Sequence, residues 1–69
     1  MKNKKRENLR KQRKKNDLTQ AQVAEKLGIS RVMYNQIETG VKGVRLELAF
    51  KLSSLFEKPL EELFGEVEN

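Results

Sequence analysis

The sequence predicts an all-α fold of five short helices in one domain, and three observations carry that reading. No stretch of useful length alternates apolar and polar residues at a strand's period of two. The single Pro is Pro59, so no proline interrupts a helix before it. Apolar residues recur at spacings of three and four between short segments punctuated by Gly, Ser and Thr. A chain of 69 residues buries only about 60% of its unfolded surface, so one domain spans 1–69 and its core is small. With no Cys and no His, disulfides and the usual soft-ligand metal sites are excluded, which leaves helix packing and self-association as sources of stability.

The first helix is expected from about Lys5 to Lys15, with Leu9 its only apolar residue before Leu18. Its inward face is thin, so Arg13 and the aliphatic stems of neighbouring Lys and Arg are expected to help cover the core. The second begins at Thr19, where Thr-x-x-Gln with Gln22 forms a capping box. It buries Val23, Ala24 and Leu27, and Gly28 stops it at a position that favours a positive φ. Ser30 caps the third, which runs to about Glu38 or Thr39 before Gly40. The fourth, about Arg45 to Phe56, carries Leu48, Ala49, Leu52, Leu55 and Phe56 and is the expected spine of the core. Pro59 pre-sets the start of a fifth helix through Phe64, with Glu61 and Glu62 at its positive end. Residues 65–69 read as a frayed tail or as a short strand added in an oligomer.

Charge is unevenly spread. Residues 1–45 hold thirteen Lys and Arg against Glu7, Asp17, Glu25 and Glu38, a net +9, whereas residues 46–69 hold two against six Glu, a net −4. One end therefore attracts anions, and with a basic arm at 1–8 this points to nucleic acid or an anionic surface. No apolar run approaches the roughly 20 residues of a membrane span, and no hydrophobic segment follows the basic N-terminus. A soluble cytoplasmic protein is the expectation, with no membrane partner and no small-molecule ligand evident.

Helices two and three, joined by a short turn containing Gly28, form a helix-turn-helix candidate over about 19–39. Taking about 100° per residue from Arg31, Asn35 falls at about 40°, Val32 at about 100° and Gln36 at about 140°, while Ser30, Met33, Tyr34 and Ile37 fall between about 200° and 300°. One face packs and the other is free to read. Arg bonds bidentately to guanine O6 and N7, Gln or Asn to adenine N6 and N7, and Val touches a thymine methyl. Arg31, Val32, Asn35 and Gln36 are thus the candidate base readers. Met33 and Tyr34 are expected to pack, with the Tyr34 hydroxyl within reach of a phosphate at the rim.

The run "LRKQRKKNDLTQAQVAEKLGISRVMYNQIETG", followed by "LELAFKLSSLFEKPLEELF", resembles the xenobiotic-response-element (XRE) family of helix-turn-helix regulators, the Cro and lambda-repressor group. The resemblance covers about residues 9–64 and implies a lambda-repressor-like five-helix domain. It implies that Gln20, first in helix two, contacts phosphate, flanked by Thr19 and Ser30, and that Arg31, Val32 and Gln36 face bases. It also implies a salt bridge between Arg13 and Glu38. After the recognition helix this chain departs from the frequent family pattern: Gly40-Val41-Lys42-Gly43-Val44-Arg45 lacks the usual Pro-Ser start of helix four. Lys42 and Arg45 remain candidate phosphate contacts there. Glu57 stands where relatives often have a helix-ending Gly.

Taken together, the sequence leads to a sequence-specific double-stranded DNA-binding regulator, a repressor on a palindromic operator bound as a homodimer. The expected dimer surface is Leu55, Leu60, Leu63, Phe64 and Val67. Two binding alternatives stay open: an antitoxin-like or other protein-interaction module on the same fold, and a non-specific nucleic-acid binder driven by the basic arm. Enzymatic activity is not expected, because no Ser or Glu has an evident base beside it. No cofactor or metal is implied.

Overall fold

Five helices follow one another in the computed structural model, which describes residues 5–65: α1 (Glu7–Lys15), α2 (Gln20–Leu27), α3 (Arg31–Thr39), α4 (Leu46–Phe56) and α5 (Leu60–Phe64). Residues 1–4 of the basic arm, most of the expected tail, and Val67 lie outside the described residues. The architecture is all-α, as expected from the sequence.

Local chemistry sets the helix ends. At Thr19 the capping box is complete: the Gln22 N–H donates to Thr19 Oγ1 at 3.1 Å and the Thr19 N–H donates to Gln22 Oε1 at 2.8 Å. Gly28 follows α2 with φ 78°, and Ser30 Oγ accepts from the Met33 N–H at 3.0 Å to start α3. The interhelical turn is therefore closed from both sides by residues whose side chains or missing Cβ suit it. Glu57 ends α4 with φ 55°, in the left-handed region, where a Cβ costs roughly 1 kcal/mol. Asp17 takes the same conformation after α1, a position the sequence reading had not singled out.

The core gathers one stripe from every helix: Leu9, Val23, Ala24, Leu27, Tyr34, Ile37, Leu48, Leu52, Phe56 and Leu63, with Leu18, Ile29, Met33, Val44, Leu55 and Phe64 packed around it. α2 lies against α3 and α4, while α1 packs on α3 and α5. α1 supplies only Leu9 and the buried Arg13 to this core, and Arg13 occupies the place an apolar side chain would otherwise fill.

Leu63 requires a correction. Expected at a dimer surface, it is 0% exposed and belongs to the core. Five residues of α5 present one inward position to α1 and α4, and Leu63 occupies it, which leaves Leu60 and Phe64 on the half-buried flanks.

Candidate nucleic-acid interface

The side of α3 that faces the domain is fixed by apolar burial and by one hydrogen-bonded cluster. Tyr34 and Ile37 are fully buried, and Glu38, in the last turn, accepts four hydrogen bonds from three residues. Arg13 Nε donates to Glu38 Oε2 at 2.6 Å and Arg13 Nη2 to Oε1 at 3.3 Å, joining α1 to α3. Tyr34 Oη donates to Glu38 Oε2 at 2.7 Å, and Gln20 Nε2 donates to Oε1 at 3.1 Å. Arg13 Nη1 also donates to the Leu18 carbonyl at 2.9 Å, tying the α1–α2 connection into the cluster. The sequence left the Tyr34 hydroxyl within reach of a phosphate; it is instead committed to Glu38 beneath the surface, because the whole side chain is buried in the core.

These contacts decide the ionisation of the cluster. Burial alone would raise the Glu38 carboxyl, yet hydrogen bonds from Arg13, Tyr34 and Gln20 outweigh it and hold the group below its ordinary value of 4.5. Burial, reinforced by the Glu38 carboxylate, pushes the Tyr34 hydroxyl well above its usual range. The hydrogen bond to Glu38 keeps the Arg13 guanidinium charged despite its burial. A paired, fully bonded buried ion pair is costly to break from one side, about 3–5 kcal/mol when a charge is stranded, so it holds α3 in one orientation.

On the opposite side, Arg31 is exposed and Val32 is 59% exposed, while Asn35 and Gln36 are half-buried. Asn35 Nδ2 donates to Gln20 Oε1 at 3.2 Å. Gln20 thereby lies between Glu38 and Asn35, and with its Nε2 turned to a carboxylate its Oε1 is the atom left for Asn35. That link fixes which end of the Asn35 amide points outward, Oδ1, a detail residue spacing alone does not carry.

The N-terminus of α2 opens beside this face. Arg13, Lys14, Asp17, Leu18, Thr19, Gln20, Ala21 and Arg31 line an open cleft of ≈ 590 Å³, three cationic side chains against one carboxylate, beside the helix end whose first N–H groups carry partial positive charge. Thr19 and Ser30 use their hydroxyl oxygens as acceptors in caps, which leaves each hydroxyl hydrogen to donate. Lys42 and Arg45, beyond α3, are exposed. Across the described residues no His, Cys, Asp or Glu cluster is placed to hold a metal, and no helix is long and apolar enough to cross a membrane.

One residue was missed. Arg6, counted with the basic arm, turns inward: its N–H donates to the Glu38 carbonyl at 2.8 Å, and Nη1 donates to the carbonyls of Ile37 at 2.6 Å and Lys42 at 3.0 Å. The available signal was negative. The last turn of α3 contains no basic residue, so its carbonyls need a cation from elsewhere.

Two helices at a glycine turn, the second locked by its inner face and offering a polar outer one, define a helix-turn-helix DNA-binding domain. A helix-turn-helix family model matches residues 9–63. The chain belongs to that family, in its XRE-type branch, and is a DNA-binding transcriptional regulator by membership. It is similar to an uncharacterized HTH-type transcriptional regulator of Methanocaldococcus jannaschii, 42% identical over 48 residues, covering 70% of this chain and 73% of that one. A crystal structure of a transcriptional regulator from Listeria innocua superposes on the whole chain with a TM-score of 0.82 at 25% identity. This chain spans 64% of the length of that solved one.

Proposed function

We propose that the protein is a repressor that occupies a palindromic operator as a homodimer. The observation that carries this reading is the division of α3: Tyr34, Ile37 and Glu38 are buried and bonded, while Arg31 and Val32 stand out in solvent. An exposed face on a helix held that firmly suits base readout, since little side-chain or backbone ordering remains to be done on binding.

In this reading Arg31 takes a guanine edge, Val32 a thymine methyl, Gln36 an adenine edge, and Asn35 accepts from a base amino group through its outward Oδ1. Phosphates are held by Thr19, Gln20 and Ser30 on one side and by Lys42 and Arg45 on the other. Gln20 keeps a second Nε2 hydrogen and its backbone N–H at the α2 terminus for this purpose. Phosphate contacts set position and salt dependence; base contacts set the sequence.

A single protomer measures 32 × 23 × 22 Å and carries one recognition helix. Reading two half-sites about 34 Å apart therefore takes two copies related by a two-fold. Leu55, Leu60 and Phe64, half-buried on α4 and α5, are the proposed contact. Repression follows from occupancy, which blocks other proteins from the same DNA. Titration of one duplex operator and of its isolated half-site, followed by sedimentation, tests this: two chains per full site and much weaker half-site binding are expected. One chain per full site with equal half-site affinity would overturn the homodimer.

A further inference from the structure

The turn after α3, residues 40–43, contains Gly40 and Gly43 and has little stiffness of its own. Two ties hold its Lys42. The Lys42 N–H donates to the Gln36 carbonyl at 3.1 Å, and the Lys42 carbonyl accepts from Arg6 Nη1 at 3.0 Å. The same Nη1 donates to Ile37 at 2.6 Å and the Arg6 backbone N–H to Glu38 at 2.8 Å, so one residue before α1 clamps both the end of the recognition helix and the turn beyond it. Its guanidinium is directed at main-chain carbonyls, and the exposed ammonium on the turn is that of Lys42.

We propose that Arg6 is a positioning residue for DNA binding: it fixes the 40–43 turn so that Lys42 meets a backbone phosphate beside the recognition helix, and does not contact phosphate itself. This rests on the reading of Lys42 as a phosphate contact. A turn ordered in the free protein adds no ordering entropy to the complex, and the position of Arg6 ahead of α1 makes that order depend on the N-terminal segment.

The test uses Arg6→Ala, Arg6→Lys, Lys42→Ala and the double variant Arg6→Ala/Lys42→Ala in the full chain. Affinity for a random-sequence duplex is measured over a salt series, and amide hydrogen exchange is followed at Lys42 and at the core residue Leu52. Arg6→Ala is expected to speed exchange at Lys42 by tenfold or more with Leu52 unchanged. It should flatten the log affinity against log salt slope by about 0.9, the value of one phosphate contact, and change nothing further when added to Lys42→Ala. Losses that add in the double variant, together with a wild-type slope in Arg6→Lys, would show Arg6 touching phosphate directly and overturn the proposal. Equal acceleration at Leu52 would reduce Arg6 to general stability and also overturn it. An unchanged slope in Lys42→Ala would instead overturn the phosphate reading of Lys42, and exchange at Lys42 would still decide whether Arg6 holds the turn.

Discussion

The Glu38 carboxylate collects donors from α1, α2 and α3, so its protonation bears on the whole helix-turn-helix. Its folded-state value is lowered, which means that its contribution to stability is fully present above the unfolded value near 4.5 and is lost as pH falls through the folded one. Denaturant midpoints measured from pH 7 to pH 3 should hold level and then drop below about pH 4.5, and Glu38→Gln should flatten that drop while lowering stability at pH 7. An identical acid limb in the variant would contradict this linkage. On the outer face, Arg31→Ala should cost about 1–3 kcal/mol on the preferred operator and little on random DNA; equal losses on both would remove Arg31 as a reader. Spacing alone was enough to place Arg31 and Val32 outward and Tyr34 and Ile37 inward. The Arg13 and Glu38 pairing came from resemblance, and the Gln20 to Asn35 bond from neither, because it depends on how α2 crosses α3. Arg6 was illegible for a different reason: in a run of basic residues nothing local marks the one that turns toward distant carbonyls.

At the level of elements, α1, α2 and α4 end in the same way, with a left-handed residue followed by an N–H that reaches back to the last turn: Leu18 to Arg13 at 3.1 Å, Ile29 to Ala24 at 3.0 Å and Lys58 to Ser53 at 3.1 Å. Of these three, α2 uses Gly for the left-handed position, as α3 does with Gly40, whereas α1 and α4 use Asp17 and Glu57. Glu57→Gly should therefore stabilise the fold by about 0.5–1 kcal/mol, read as a Tm rise of about 4–8 °C per kcal/mol in a domain of this size. A lower Tm would mean the Glu57 side chain contributes more than its backbone conformation costs. Ala24 sits 2% exposed where α2 meets α3, and Ala24→Leu should overpack that contact by about 1–3 kcal/mol, with an unchanged Tm as the contrary result. These ends were readable in sequence wherever a residue type carries a fixed conformational preference, as at Thr19, Gly28, Ser30 and Pro59. Asp17 escaped notice because Asp tolerates the left-handed region without requiring it.

For the whole molecule, the inward turn of Arg6 changes what the basic arm can be asked. Deleting residues 2–5 should weaken binding to all duplexes alike and leave both discrimination and Tm intact, since that segment supplies charge. Extending the deletion through residue 6 should also loosen the turn at Lys42. A loss of sequence preference in the shorter deletion would contradict the separation of arm and reader. The five-helix class was legible because apolar spacing and helix punctuation agree along the chain. The proposed self-association surface was less so: Leu55, Leu60, Leu63 and Phe64 share a pattern, and only the packing of α5 on α1 decides that Leu63 faces inward while Leu60 and Phe64 keep surface.

Selection of binding sites from a randomised duplex library, with the wild type and Arg31→Ala in parallel at near-physiological salt, addresses the central claim most directly. A two-fold palindrome should be enriched by the wild type, and its preference should relax at one symmetric position in the variant. No enriched sequence, or a site that Arg31→Ala recovers unchanged, would contradict an operator-binding dimer that reads bases through the outer face of α3.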